Sequence, residues 1–355
     1  MDFRRRRFIG ATVGTLAAGA LAGCTGTNDD EESAGGPTAA ASFFVFGDVT
    51  SAVAGDTAAV DLLVPTGQHG HGWEPGPRVR EDVRDASLFV HGMEGFQPWV
   101  DSIRTDLEAD GASVRALDVT ESVDMLEAGG EHDEADHSDE HHDDHTESTE
   151  HHDDHTESTE HHDDHTESTE HEEEHDHGSV DPHFWMDPVR LATATRTIQQ
   201  GLTATDEGGA DSYEANADEF TNRLADLDNE IRATVEEASK ETLLVAGHNS
   251  FQYLAERYGL RVEALTNVSP DDRPTARDIE HAQSVIAEHD LQYVCADPLE
   301  SQQAAETLVA ETDAEAVLPL TAMPGLTDEW AENDWGYNDV MTEVNLPTLE
   351  RALEA

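Results

Sequence analysis

Residues 212–239 read SYEANADEFTNRLADLDNEIRATVEEAS, and this stretch determines how the two halves of the chain are joined. It contains no Gly or Pro, and acidic residues fill the side opposite to its apolar residues. The apolar side chains recur at helical spacing, at Phe220, Leu224, Leu227, Ile231 and Val235. We therefore predict one long helix that connects two lobes.

Short apolar runs alternate with helical stretches on both sides of this helix. The N-terminal side has predicted strands at 43–46, 60–64, 87–91 and 113–117, and predicted helices at 76–86 and 97–110. The C-terminal side has predicted strands at 243–246, 262–265, 291–296 and 314–318, and predicted helices at 249–258, 275–289, 301–312 and 338–353. This alternation predicts an α/β fold in which each lobe has a parallel β-sheet flanked by helices. A ligand would then bind between the lobes, at the carboxyl ends of the strands.

A segment rich in His, Asp and Glu interrupts the N-terminal side at 131–178. The decapeptide HHDDHTESTE occurs three times in tandem, beginning at residues 141, 151 and 161. Nothing in the segment can build a core, so we predict a disordered loop insertion that the fold does not need. Imidazoles beside carboxylates suit Zn²⁺, but a disordered segment loses entropy on binding. We therefore expect weak, exchangeable metal binding there, as in a scavenger or sensor.

The beginning of the chain has the layout of an export signal. Its basic residues include the sequence RRRFI at 5–9, which is typical of twin-arginine export, and an apolar run follows. That run ends in LAGC, where cleavage would leave Cys24 to carry a lipid. The second cysteine, Cys295, lies in an apolar strand-like run and is predicted to be a small buried residue.

These features divide the chain into segments. We predict a signal peptide at 1–23, a lipid-anchored flexible tether at 24–41, an N-terminal lobe at 42–130 that is completed by 179–211, the His-rich loop at 131–178, the connecting helix at 212–239 and a C-terminal lobe at 240–355. The mature protein would be held at the extracellular face of the cytoplasmic membrane by its lipid.

The charge of the chain restricts its partners. The formal net charge is −60, which excludes nucleic acid and anionic lipid surfaces and favours cations. Lys240 is the only lysine in the sequence. An acidic chain with almost no Lys is typical of proteins that stay soluble in high salt, so we expect a halophilic source.

Three histidines outside the insert have distinctive contexts. His71 follows a predicted strand, His183 lies just past the insert, and His248 follows a predicted strand directly. Residues at strand ends would meet at a crevice between the lobes. Three neutral imidazoles, with one position left for a carboxylate or water, form a sound tetrahedral Zn²⁺ site.

The segments around these histidines resemble the metal-binding solute-binding lipoproteins of zinc and manganese ABC transporters. The matching motifs are HGWEP at 71–75, DPHFWMDP at 181–188, His248 followed by ERYG at 256–259, and the region at 92–99. A His-rich acidic loop before the second motif is typical of the zinc branch. The resemblance covers about residues 42–353.

This resemblance implies two α/β lobes joined by a rigid helix, with His71, His183 and His248 as metal ligands. It also implies Zn²⁺ as the transported ion, with Mn²⁺ or another divalent metal as the alternative. The partners would be an ABC permease and its ATPase subunit, and the protein is expected to be a monomer.

The chain departs from the family pattern at two places. Gly70 stands where Pro is usual, and His69 adds an imidazole two residues before His71, so either histidine could bind. The region after the last predicted strand, 317–321, lacks the acid that the family often carries. The fourth ligand is therefore open between water and a residue such as Asp297.

Other histidines and other functions fit the sequence less well. His91 is interpreted as structural, and His281 and His289 as solvated residues of a helix. A metallohydrolase would need a general base beside an open zinc position, and the sequence outside the His-rich segment contains no HExxH motif. A surface metal buffer or adhesin is a further alternative that the His repeats alone could support.

Overall fold

The strands of the protein form two separate parallel sheets. The computed structural model describes residues 37–70, 73–128, 180–269 and 273–355. Its strands are β1 (Thr38–Ala41), β2 (Ala59–Leu62), β3 (Leu88–His91), β4 (Arg115–Asp118), β5 (Thr242–His248), β6 (Arg261–Thr266), β7 (Tyr293–Ala296) and β8 (Ala316–Pro319). The sheet orders are β2-β1-β3-β4 and β6-β5-β7-β8, so the two lobes share one topology.

Helices cover both faces of each sheet. They are α1 (Phe44–Ala54), α2 (Pro77–Asp85), α3 (Pro98–Asp110), α4 (Pro188–Thr205), α5 (Ala210–Glu237), α6 (Gln252–Tyr258), α7 (Ala276–His289), α8 (Gln303–Glu311), α9 (Asp328–Glu332), α10 (Tyr337–Val340) and α11 (Leu346–Ala352), with a π-helical turn at Met341–Asn345 between the last two. The predicted fold class of two α/β lobes with parallel sheets is confirmed. None of the helices in the described ranges is long and apolar enough to cross a membrane.

Successive residues of the strands point to opposite faces, as the pleat requires. In the first lobe, Ala40 and Phe89 belong to a core cluster with residues of α2 and α3. Ala41 and Val90 belong to a second cluster that continues into the C-terminal lobe as far as Leu353. One hydrophobic core therefore runs through both lobes and holds them together.

The predicted connecting helix is α5, which spans 28 residues. Its apolar stripe is buried, with Phe220, Leu224, Leu227 and Ile231 all nearly inaccessible to solvent. The helix packs against α1 and α4 of the first lobe and against α6 and α11 of the second. Its length and its contacts with both lobes confirm the single long connecting helix that the helical spacing predicted.

The start of the first lobe differs from the prediction. Residues 38–41, which we assigned to the flexible tether, form β1 at an interior position of the first sheet. Residues 43–46, which we predicted as a strand, belong mostly to α1. Phe and Val favour strands locally, but here Phe43 and Phe46 are buried against other aromatic side chains across the core, so tertiary packing overrides the local preference.

Hydrogen bonds also join the lobes beside the strand ends. The loop after β2 pairs with the segment after β8, because Gly67 N donates to Leu326 O at 2.7 Å and Gly70 N donates to Pro324 O at 2.7 Å. Trp185 Nε1 donates to Ala322 O at 2.7 Å. These contacts restrict relative movement of the lobes next to the crevice.

The two ends of the His-rich segment lie side by side. Glu127 and Val180 form an isolated antiparallel bridge, and Asp181 N donates to Leu126 O at 2.9 Å. The segment itself, 131–178, lies outside the described residues. Because its flanks are already paired, the chain can be closed across them without moving the lobes.

We expect a variant that lacks residues 131–177 to keep the fold. Loop closure costs little when the flanking residues are already adjacent, so the melting temperature of the variant should stay within a few degrees of the full chain. Thermal unfolding followed by circular dichroism would check this. A melting temperature lower by more than about 8 °C, roughly 5 kcal/mol for a chain of this size, would show that the segment supports the fold.

Candidate metal centre

Two of the predicted ligands meet between the lobes. His248 is the last residue of β5, where a bulge between Val245 and His248 shifts the register with β6. His183 directly precedes a 3₁₀ turn at Phe184–Met186 that leads into α4. The Nε2 atoms of the two histidines lie 3.4 Å apart, and their ring centroids 5.3 Å apart.

Both imidazoles are almost completely buried. The exposed fraction is 1% for His183 and 6% for His248. Burial lowers the pKa of His183, and this effect outweighs the hydrogen bond to Asp181, which would raise it. The neutral imidazole, which is the form that binds metal ions, is therefore favoured at His183 near neutral pH.

Asp181 fixes the orientation of His183. Its Oδ1 accepts hydrogen bonds from His183 N at 2.9 Å and from His183 Nδ1 at 2.8 Å. Tyr253 OH donates to Asp181 O at 2.6 Å, so the C-terminal lobe holds the same turn. With Nδ1 bound to a carboxylate, Nε2 of His183 is the nitrogen left for a metal ion.

His248 has a carboxylate partner that sequence reasoning missed. Glu300, in the loop between β7 and α8, has Oε1 2.9 Å from His248 Nδ1. Burial alone would raise the pKa of the Glu300 carboxyl, but the hydrogen bond from His248 and the nearby His69 lower it to about 2. No motif marks Glu300 in the sequence; the only signal was an acid three residues after Asp297, close behind a predicted strand.

His69 lies beside this pair. Its ring centroid is 6.3 Å from that of His248, and its Nε2 is 3.6 Å from Glu300 Oε1, which is longer than a hydrogen bond. The backbone next to His69 is held in place, because Gln97 Nε2 donates a hydrogen bond to Gly70 O at 2.9 Å. His71, the third predicted ligand, and Cys24, the predicted lipidation site, both lie outside the described residues.

Gly70 is a departure from the family pattern that the structure explains. A Cβ at this position would lie 2.6 Å from Phe43 Cδ2 and 3.0 Å from Pro324 O. Only Gly lets the loop pass this close to both lobes.

Asp297 is held by other contacts. Its Oδ1 accepts from Leu299 N at 2.8 Å, and its Oδ2 accepts from Thr321 Oγ1 at 2.6 Å. Burial raises the pKa of Asp297 to about 6. These bonds tie the ends of β7 and β8 together, so Glu300 is better placed than Asp297 to act on the histidines.

His91 and His281 lie as predicted. His91 is buried at the end of β3 with Nδ1 2.7 Å from Gly92 O, and burial lowers its pKa. His281 is exposed on α7, 3.7 Å from Glu263. Within the described ranges, no group of three or more His, Cys, Asp or Glu side chains is arranged to hold a metal ion. The His183–His248 pair is the part of the predicted site that these ranges contain. Two buried imidazoles fit Zn²⁺, for which histidine nitrogen is a preferred ligand.

A fold of two α/β lobes around a buried imidazole pair defines a metal-binding solute-binding protein. The family model "Zinc-uptake complex component A periplasmic" matches residues 40–352. The chain therefore belongs to this family, and the resemblance to the zinc branch of solute-binding proteins is confirmed.

Known proteins agree with this membership. The chain is 29% identical over 311 residues to the high-affinity zinc uptake system protein ZnuA of Bacillus subtilis, covering 88% of this chain and 86% of that protein. It is 28% identical over 312 residues to the zinc-binding lipoprotein AdcA of Streptococcus pneumoniae, covering 88% of this chain but only 55% of AdcA. The crystal structure of the Zn(II)-bound ZnuA-like domain of that AdcA superposes with a TM-score of 0.67 and 24% identity, covering 90% of this chain and all of that domain.

We expect Asp181→Asn to weaken zinc binding. The amide cannot supply the negative charge that orients the Nδ1 proton of His183, and losing such a partner typically costs about 10–100-fold in metal affinity. Competition with a chromophoric zinc chelator would measure the change. Asp118→Asn, at the end of β4, is the control and should bind zinc like the unmodified protein, because the Asp118 carboxylate accepts hydrogen bonds from Thr120 rather than from a histidine of the pair. Equal affinities for the two variants would contradict the role of Asp181.

Proposed function

We propose that this chain is the extracellular substrate-binding component of an ABC importer, which captures Zn²⁺ and delivers it to the permease. The observation that carries the proposal is the 3.4 Å separation between the Nε2 atoms of His183 and His248. Zinc binds histidine nitrogens at about 2.0–2.1 Å in a tetrahedron, which places two such nitrogens about 3.3–3.4 Å apart. Membership in a family of zinc-uptake components supports the same ion.

The proposed ligands are His183, His248 and His71. The motif at 71–75 supports His71, whereas the position of His69 beside His248 makes it the alternative third ligand. A water molecule or a carboxylate would complete the tetrahedron. A site built mainly from imidazoles favours Zn²⁺ over Mn²⁺, which prefers oxygen ligands.

Release of the ion requires only a limited rearrangement. The lobes share a hydrophobic core, a 28-residue helix and the hydrogen bonds of Gly67 and Gly70 to the opposite lobe. Such connections resist a wide hinge motion, so the cycle would consist of capture, a small shift of lobes or loops, docking on the permease and release.

The sequence supports further proposals for the remaining parts of the chain. Export by the twin-arginine route and lipidation at Cys24 would place a monomer at the outer face of the membrane. The His-rich segment would act as an accessory scavenger, and the acidic surface would keep the protein soluble in high salt. The family is one of transport components, and we infer that the chain is not an enzyme.

Zinc titration by calorimetry tests the function directly. The variant lacking 131–177, studied in high salt, should bind one tight Zn²⁺ per chain. His183→Ala or His248→Ala should weaken this binding by more than about 100-fold, beyond the cost of losing an orienting partner. His281→Ala, on exposed α7, is the matched control and should change nothing. If deleting 131–177 abolishes all tight binding, the protein is a metal buffer rather than an importer component.

His69→Ala and His71→Ala distinguish the two candidates for the third ligand. We expect His71→Ala to lower zinc affinity by more than about 100-fold and His69→Ala by much less, because a direct ligand contributes more than a neighbour. Calorimetry on the same shortened chain would give both values. The reverse order would assign the third ligand to His69.

A further inference from the structure

Glu300 is held in place by its own loop. Glu300 N donates to Asp297 O at 3.0 Å, and Gln302 Nε2 donates both to Asp297 O at 2.7 Å and to Glu300 O at 3.0 Å. Asp297 is itself bonded to Thr321. The backbone that carries Glu300 is therefore fixed, and its side chain, 21% exposed, extends to His248.

The carboxylate contacts the side of the His248 ring that faces away from His183. Glu300 Oε1 is 2.9 Å from Nδ1, whereas Nε2 is the atom that lies 3.4 Å from His183 Nε2. Asp181 has the same relation to His183, with its Oδ1 2.8 Å from Nδ1. Each imidazole thus has one carboxylate on Nδ1, and the two Nε2 atoms face each other.

We propose that Glu300 is a positioning residue of the metal site: it accepts a hydrogen bond from Nδ1–H of His248 and thereby directs Nε2 of that ring at the ion. A carboxylate in this place fixes the tautomer and the ring angle and makes the metal-binding nitrogen more basic. The proposal deepens the function proposed above and rests on it, since it assumes that His248 binds the ion.

Gly247 provides the space that this arrangement needs. A Cβ on Gly247, the residue directly before His248, would lie 2.7 Å from Glu300 Oε2. Such a contact is too close, so any larger residue would push the carboxylate away from its present position. The lack of a side chain at Gly247 therefore leaves room for the Glu300 carboxylate beside His248.

Glu300→Gln is the main variant, tested in the full mature chain against Glu306→Gln as the matched control. Glu306 is an exposed carboxylate on α8, so its replacement removes the same charge away from the site. We expect Glu300→Gln to weaken zinc binding by about 10–100-fold, measured by chelator competition, and Glu306→Gln to leave it unchanged.

Two spectroscopic readouts separate positioning from direct binding. In the metal-free protein, ¹⁵N NMR of His248 should show a proton on Nδ1 that Glu300→Gln partly shifts to Nε2. In the Co²⁺-substituted protein, the visible absorption should keep a tetrahedral pattern in both chains, because Glu300 lies outside the set of ligands. A change of coordination geometry in Glu300→Gln would make Glu300 a direct ligand and overturn the proposal.

Gly247→Ala supplies an independent test. It should weaken zinc binding by displacing the carboxylate, and it should add little when combined with Glu300→Gln, since both changes act on one contact. Equal zinc affinity for Glu300→Gln and Glu306→Gln would overturn the proposal. If the unmodified chain lacks a tight site at His183 and His248, the proposed function fails, while the His248 tautomer still decides whether Glu300 holds the Nδ1 proton.

Discussion

His183 and His248 come from different lobes, and the approach of their Nε2 atoms to 3.4 Å requires the lobes to pack in one relative position. In the proposed site one ion binds both Nε2 atoms, so an error of about 1 Å would separate them too far. Both side chains are almost completely buried, so the packing of the atoms around them sets the positions of the two rings. Trp185 shows how this is done, since it packs beside His183 and donates a hydrogen bond to Ala322 of the other lobe.

Several contacts around α6, the helix that follows His248, also hold the two lobes together. Tyr253 of α6 bonds to Asp181, and Arg257 lies 3.1 Å from Asp187, the residue that caps α4. Arg190 at the start of α4 in turn reaches Glu256 at 2.7 Å. The segment that carries His183 and the helix behind His248 are therefore bound to each other, and the imidazole pair is held from both sides.

The two carboxylates beside the imidazole pair also affect its charge balance. Two neutral imidazoles would leave the double positive charge of a bound zinc ion uncompensated in a buried site, which is costly. In the proposed site, Asp181 and Glu300, each hydrogen-bonded to one ring, would supply two negative charges close to the ion. A chain with a net charge of −60 also attracts cations to its surface before they reach the crevice.

Much of this architecture could be predicted from local patterns. The spacing of Phe220, Leu224 and Leu227 predicted α5, because a helix that buries one face repeats its apolar residues every three to four positions. The assignments from sequence differ from the structure at 38–41 and 43–46, because short runs of Ala, Phe and Val have no reliable periodicity. The position of β1 inside the first sheet and the start of α1 depended on neighbours that lie far away in the sequence.

The class of fold, the candidate histidines and the chemistry of their side chains could be predicted before the structure, since they depend on residue type and on regular spacing. The packing of the two lobes places Nε2 of His183 against Nε2 of His248, His69 beside them, and Glu300 rather than Asp297 in contact with His248. Spacing along the chain reports local burial, whereas distances between atoms of different lobes are set by the packing of the whole core.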